Sequence, residues 1–213
     1  SNATMTDSDG LLKWRPHNYL PKSNTFSTWD KVSSTIVDNA AVGPNGIANT
    51  ASVVTFSTGS SHLYNLALFN VAAGDKVTLA AWVRSDTITS LTFAINGRGN
   101  AYNNVLKANL AVTPTWTLVS FEATVVGDDS GLFFIIGKYI ASSPASQIGD
   151  FELYGAHMFR SDLGGMVNNP DTTSGYVPTT TAAVYAPRRG HHVYNGSTWV
   201  NEGLLHESEA RTN

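Results

Sequence analysis

Short runs of β-branched and aromatic residues, separated by turn residues, restrict this chain to an all-β fold. The runs are bounded by Gly, Asn, Asp, Pro and Ser, as strands are, and apolar residues nowhere keep a helical period beyond two turns. Many short strands at such spacing are typical of a sandwich or barrel. The predicted strands are residues 53–56, 76–84, 91–96, 116–126, 132–140 and 151–159. Trp29 and Trp116 head strands, and we expect them to plug the ends of the sandwich core. Trp199 is expected to pack across its hairpin, opposite Val193 or Tyr194.

The composition suits a large β domain and excludes some partners. The 213 residues include no cysteine, 14% are charged, and the net charge is −3. A chain of this length buries enough surface to need no disulfides. Nucleic-acid binders carry concentrated Lys and Arg, and no apolar run approaches the roughly 20 residues of a membrane span. We therefore expect neither nucleic acid nor membrane insertion.

Alternation along two predicted strands places polar and aromatic groups on a second face, opposite the apolar one. In residues 76–84, Trp82 and Arg84 oppose the aliphatic positions, and Asn96 does so in residues 91–96. An aromatic ring stacks on the C–H face of a sugar, while amide and guanidinium groups bond its hydroxyls. The alternative is that Trp82 is covered by a neighbouring subunit or loop. The carbohydrate-binding candidates are Trp82, Arg84, Asn96, Arg98, Tyr102 and Tyr139.

Six short phrases follow one another along the chain, and residues 203–213 close it with A-R-T-N. Together they resemble modules of bacteriophage tail and tail-fibre proteins, with Met158-Phe159 in place of the usual Leu-Glu. Because the phrases keep their order over nearly the whole chain, the resemblance is specific. The phrases are N-Y-L-P-K-S-N from Asn18, G-P-N-G from Gly43, K-V-T-L-A-A-W-V-R-S from Lys76, T-W from Thr115, F-E-L-Y-G-A-H-M-F from Phe151 and S-G-Y-V-P-T from Ser174.

The resemblance implies a jelly-roll β-sandwich of two antiparallel sheets, related to carbohydrate-binding modules. It places the protein in a virion tail, of phage or prophage origin, exposed to the extracellular medium after release. Its partners would be other tail modules, bacterial surface polysaccharide and further copies of itself, as a trimer. We expect a tag remnant and leader over residues 1–10, the sandwich over 11–185, and a hairpin connector to a following module over 186–213, where Asn195-Gly196 marks the turn.

The resemblance also implies a structural calcium ion at Asp150, where many jelly-roll carbohydrate modules carry an acidic ligand. Calcium needs several oxygen ligands, and the position that often supplies the second carboxylate is Ser27 here. No other cofactor is expected. The sequence contains no G-x-S-x-G motif, P-loop or cysteine nucleophile, so we predict a non-catalytic module. Two other roles stay open, an architectural spacer and an ancillary domain of a tail depolymerase.

Overall fold

The computed structural model describes residues 4–14, 16–99, 106–138, 147–163, 177–185 and 189–204. Two three-residue 3-10 helices, Phe26–Thr28 and Ser161–Leu163, accompany the strands, and no helix in these ranges is long and apolar enough to cross a membrane. The strands are β1 (Thr4–Thr6), β2 (Leu12–Trp14), β3 (His17–Asn18), β4 (Asp30–Val32), β5 (Ser34–Ala41), β6 (Ala51–Phe56), β7 (His62–Ala67), β8 (Lys76–Arg84), β9 (Ser90–Gly97), β10 (Leu106–Ala111), β11 (Thr117–Thr124), β12 (Leu132–Gly137), β13 (Gly149–Arg160), β14 (Val184–Tyr185), β15 (Arg189–Tyr194) and β16 (Trp199–Leu204).

Ten of these strands form two five-stranded antiparallel sheets. Sheet I has the order β10-β9-β12-β7-β4, and sheet II has the order β11-β8-β13-β6-β5. From β4 to β13 the chain passes repeatedly from one sheet to the other, so neighbours within a sheet are mostly distant in sequence. This is the predicted jelly-roll β-sandwich, and the prediction of an all-β fold is confirmed.

The core lies between the sheets and follows the strand alternation. Along β8, Val77 and Leu79 are fully buried, and the β9 residues Leu91 and Phe93 meet them from the other sheet within one continuous cluster. Inward side chains of both sheets thus form a single apolar layer. Trp29, which precedes β4, is also buried in this layer, as its position at the head of a strand predicts.

A buried asparagine ties the first part of the chain to β13. The Asn18 amide group donates to the carbonyls of Ala156 (2.9 Å) and Val177 (3.0 Å). Its oxygen accepts hydrogen bonds from the backbone N–H groups of Leu20 and Met158, both at 3.0 Å. All four hydrogen-bonding positions of the amide are therefore occupied inside the protein.

Neighbouring polar residues extend this arrangement around a bulge in β13. The backbone N–H of Thr179 donates to Ser23 Oγ at 2.9 Å, and Ser23 O accepts from Ala156 N at 3.0 Å. Asn24 Oδ1 accepts from Gly155 N at 2.7 Å, where the register of β13 against β8 shifts. We call Asn18, Ser23, Asn24 and Thr179 the clamp. Three of the phage-type phrases meet in it.

Two hairpins stand outside the main sheets. The β1-β2 hairpin contains the predicted boundary between residues 10 and 11, and its Thr6 N–H donates to His191 Nδ1 of β15 at 3.2 Å. The β15-β16 hairpin is the one that Asn195-Gly196 predicts. Within it Tyr194 and Trp199 face each other with ring centroids 5.4 Å apart, which confirms the expected packing of Trp199.

Candidate functional site

The four predicted carbohydrate-binding residues that the structure describes do not form one patch. Trp82 and Arg84 lie on the outer face of sheet II, whereas Asn96 and Arg98 belong to β9 and the turn that follows it, on the side of sheet I. The prediction of a joint surface is wrong because β8 and β9 are consecutive in sequence but lie in opposite sheets. Tyr102 and Tyr139 fall outside the described residues.

Trp82 lies between its neighbours on the two adjacent strands of sheet II. It is only partly exposed, and its strand partners are Leu118 of β11 and Tyr154 of β13. Its indole N–H is buried, with no hydrogen-bond partner among the residues that the structure describes. A donor in this position cannot reach a ligand without rearrangement, so the neighbouring Arg84 is the better candidate on this face.

Arg84 is held between a carboxylate and an aromatic ring. Its Nε donates to Glu152 Oε2 at 2.7 Å across the β8-β13 pair. Its guanidinium carbon lies 5.0 Å from the ring centroid of Trp116, within cation–π range. The Trp116 indole donates to Val42 O at 3.1 Å. The expectation that Trp116 plugs the end of the core is therefore wrong, because the ring lies outside sheet II and over Arg84.

A groove of about 430 Å³ runs beside this arginine. Its walls combine carboxylates with an apolar strip, because the end of β8, the following loop and the start of β13 converge there. The residues that define it are Val53, Arg84, Thr87, Pro114, Asp150 and Glu152. We call it the Arg84 groove.

A second hollow, of about 230 Å³, lies on the outer face of sheet I. It is lined by Val32, His62, Tyr64, Phe133 and Ile135, and we call it the aromatic cleft. The Tyr64 and Phe133 rings meet edge to face with centroids 5.8 Å apart, and His62 is stacked 5.9 Å from Tyr64. All three rings are partly exposed. The cleft thus offers aromatic faces, an imidazole and a phenol above an aliphatic floor.

Asn96 occupies the same face as the aromatic cleft but is nearly buried. It is the strand partner of Phe133, and only 5% of its surface is exposed. Further along β9, Thr92 Oγ1 donates to Asn109 Oδ1 at 2.8 Å and accepts from Gln147 Nε2 at 2.6 Å. These groups satisfy one another, so they stiffen the sheet beside the cleft.

Asp150 lines the Arg84 groove, with its side chain exposed. Ser27, at the position of the missing carboxylate, instead donates from Oγ to Asp38 Oδ2 at 2.5 Å. Within the described ranges, no group of three or more His, Cys, Asp or Glu side chains is arranged to hold a metal ion. Asp150 therefore belongs to no described group arranged to hold a metal, and a calcium ion there stays a prediction.

Burial strongly shifts the pKa of His157, which lines neither hollow. His157 is completely buried in β13, and burial lowers its pKa to about 3. The imidazole is therefore uncharged near neutral pH, which fits a structural role in the interior.

The sequence does not single out the residues of the aromatic cleft, although one signal for them exists. The run Leu132-Phe133-Phe134-Ile135-Ile136 is apolar on both faces of β12. A strand with this pattern has both faces covered or in use, so its outward Phe133 and Ile135 mark a surface of interest. The sequence does not single out Glu152 either, because its pairing with Arg84 depends on strand order.

The protein is thus a jelly-roll β-sandwich module with a hollow on each side. Several solved structures resemble it distantly. A bacteriophage CBA120 tailspike protein 4 enzymatically active domain is 15% identical, with a TM-score of 0.48 over 67% of this chain. The match covers 21% of that domain, so the chain spans about a fifth of its length.

Carbohydrate-binding modules give similar values. TmCBM61 in complex with β-1,4-galactotriose is 13% identical, with a TM-score of 0.46 over 67% of this chain and 98% of that module. The CBM22-1 xylan-binding domain of Paenibacillus barcinonensis Xyn10C is 12% identical, with a TM-score of 0.47 over 68% of this chain and 91% of that domain. The sequence matches no protein-family model and no curated protein. Likenesses this distant assign no function, which has to come from the residues.

Proposed function

We propose that this protein is a non-catalytic module that binds a glycan in the aromatic cleft of sheet I. The observation that carries the proposal is the partly exposed Tyr64–Phe133 pair, with centroids 5.8 Å apart above an aliphatic floor. Rings held edge to face offer one flat surface and one wall. A sugar ring can lay its C–H groups against the first and its edge against the second.

The polar groups of the cleft suit sugar hydroxyls. The phenol of Tyr64 donates and accepts hydrogen bonds. The ring of His62 is oriented by a 3.0 Å contact between Nδ1 and Ser60 O. Rigid amphipathic side chains lose little entropy on contact, so they contribute to affinity even in a shallow site.

The dimensions of the cleft favour weak binding of one short segment of a polymer. Its volume of about 230 Å³ is below the roughly 300 Å³ at which sites for drug-sized ligands begin. Affinity of this kind becomes useful when several copies act together, because linked sites raise the effective concentration. Among the residues that the structure describes, no carboxylate lines the cleft, whereas glycoside hydrolysis ordinarily uses a pair. Both features support binding rather than turnover.

The biological setting that we propose is a phage or prophage tail, with bacterial surface polysaccharide as the ligand and other virion modules as partners. The support is the sequence resemblance, together with the finding that three of its phrases meet in the clamp. Phrases that share a structural task indicate a common module. A following module, reached through the β15-β16 hairpin, belongs to the same proposal.

The test is affinity electrophoresis of the full chain in gels containing purified bacterial surface polysaccharides. Tyr64→Ala combined with Phe133→Ala should clearly reduce the retardation that the parent shows. Ile47→Ala, which removes an exposed apolar side chain from a loop outside the cleft, should bind like the parent. Equal retardation of the double variant and the parent would refute the assignment of the site, and a parent that binds no polysaccharide would refute the function.

A second candidate function is self-association through the β15-β16 hairpin. Val193, Tyr194, Trp199 and Val200 are between 38% and 54% exposed there. Alternation places Tyr194 with Trp199 on one face and Val193 with Val200 on the other. A two-stranded hairpin with apolar groups on both faces is marginally stable alone, so a partner would stabilise it. Light scattering should then show a trimer that Val193→Ser with Val200→Ser reduces to a monomer.

A further inference from the structure

The Arg84 groove lies on the opposite side of the sandwich from the aromatic cleft and is a separate feature. Its volume of about 430 Å³ exceeds that of the cleft. It is bounded by β8, β13 and the loop that leaves β8, whereas the cleft belongs to β4, β7 and β12. A ligand in one hollow therefore leaves the other accessible.

The guanidinium of Arg84 is oriented but not saturated. Glu152 engages Nε, and Trp116 packs against the guanidinium carbon. In the described part of the chain, the terminal amino groups Nη1 and Nη2 have no hydrogen-bond partner, and neither does the second Glu152 oxygen. The pair thus presents two donors beside an acceptor, which is the complement of neighbouring hydroxyl groups.

The wall opposite Arg84 is fixed before any ligand binds. Ser85 Oγ and Thr87 Oγ1 both donate to Asp150 O, at 2.5 and 3.0 Å. Asp150 N donates in turn to Thr87 Oγ1 at 3.1 Å. Gly149 permits this contact, because its φ is +137° and a Cβ there would lie 2.6 Å from Thr87 Oγ1. A wall locked in this way adds little ordering cost to binding.

The charges in the groove select the class of ligand. Asp86, Asp150 and Glu152 place three carboxylates around the single guanidinium of Arg84. A polymer rich in uronate or phosphate would meet net repulsion, since like charges brought together in an interface are unfavourable. Hydroxyl groups are neutral and can use both the donors and the acceptors. Val53 and Pro114 supply apolar surface for C–H groups.

We propose that the Arg84 groove is a second saccharide site, which binds an uncharged glycan through Arg84, Glu152 and Asp150 and rejects polyanionic ones. The proposal does not depend on the aromatic cleft. The module would then hold glycan on both faces.

The experiment isolates this site by starting from the Tyr64→Ala, Phe133→Ala variant of the full chain. Retardation in affinity gels would be measured with soluble neutral glucan, galactan and mannan, and with polygalacturonate as the anionic probe. We expect at least one neutral polymer to retard the protein and polygalacturonate to leave it unaffected. Adding Arg84→Lys, which keeps the charge and loses the two-pronged donor, should weaken neutral binding at least tenfold, a drop of the size expected from losing about 1.4 kcal/mol.

Lys76→Arg is the control, because it also keeps the charge of a cation in β8 and Lys76 is exposed outside the groove. It should change nothing. A further variant, Asp86→Asn with Asp150→Asn, removes two negative charges and should allow polygalacturonate to bind. Failure of every neutral polymer to bind, or equal binding after Arg84→Lys, would overturn the proposal. The aromatic cleft is tested separately, by comparing the parent with the Tyr64→Ala, Phe133→Ala variant. A failure of one proposal is therefore distinguishable from a failure of the other.

Discussion

Asn18 Nδ2 lies 2.9 Å from the carbonyl oxygen of Ala156, 138 residues further along the chain. This hydrogen bond joins β3 to the bulge in β13, inside the protein. A side chain that saturates four buried backbone groups holds two distant segments in register. The clamp thereby fixes the place at which the sheet II strand β13 bends.

Replacing Asn18 by Ala should lower the free energy of unfolding by about 3 kcal/mol or more. The reason is that two carbonyls and two N–H groups lose their partner, and an unsatisfied buried group costs roughly 1–3 kcal/mol. Urea denaturation followed by tryptophan fluorescence measures the change. Asn70→Ala, at an exposed position, is the control and should stay within about 0.5 kcal/mol of the parent. A loss at Asn18 as small as that of the control would contradict the structural role of the clamp.

The stability should fall on acidification because of His157. Burial lowers its pKa to about 3 in the folded protein, against 6.5 when solvated. Between these values the unfolded state binds a proton that the folded state does not, so the stabilisation is complete above pH 6.5 and is lost as the pH falls towards 3. The slope from this group is at most about 1.4 kcal/mol per pH unit.

His157→Gln should flatten the pH dependence of the unfolding free energy between pH 6 and pH 4, values chosen within the window set by the two pKa values. Asn70→Ala, which changes an exposed residue that does not titrate, should leave the slope of the parent intact. Denaturation midpoints collected at several pH values provide the comparison. Parallel curves for the parent and His157→Gln would show that this imidazole does not control the acid transition.

The Arg84–Glu152 pair should show energetic coupling. Both side chains are partly buried, with exposed fractions of 32% and 27%. Arg84→Met alone leaves a half-buried carboxylate without its partner, and Glu152→Met does the same to the guanidinium. We expect the double variant to lose about 1 kcal/mol less than the sum of the single losses. A cycle of four unfolding measurements tests this, and strict additivity would mean that the ion pair contributes nothing.

Gly149→Ala should destabilise the protein by about 2 kcal/mol. The residue has a φ of +137°, and a methyl group there would approach Thr87 Oγ1 to 2.6 Å, so both backbone strain and a clash contribute. Gly59→Ala is the matched control, because no atom lies within 4 Å of its Cβ position. Thermal unfolding of both variants would decide the matter.

Regular alternation is what made the fold predictable. The prediction for residues 76–84 coincides with β8, since one face of that strand is aliphatic from Val77 to Val83. The sequence pattern does not predict strand β7, and the reason is physical. Its inward position Asn65 is polar and donates to Pro21 O at 2.7 Å. A polar, partly buried side chain at an inward position breaks the alternation on which sequence prediction depends.

The sites were less predictable than the strands because they depend on strand order. Arg84 and Asn96 fall on the second faces of successive strands, and alternation alone cannot tell that these faces point away from each other. The jelly-roll connection from β8 to β9 crosses between the sheets. Without the strand order, the sequence cannot show that Glu152 pairs with Arg84. For the same reason, it cannot show that Trp116 packs over Arg84 instead of entering the core.

The contact between the two hairpins has a mechanical consequence. Thr6 of β1 bonds His191 of β15, and the Trp199 ring lies directly against Gly10. Tension applied between these hairpins would separate them before it stretched either sheet. Until the hairpins separate, the load bypasses the sandwich, and the two hollows on its faces would keep their shape.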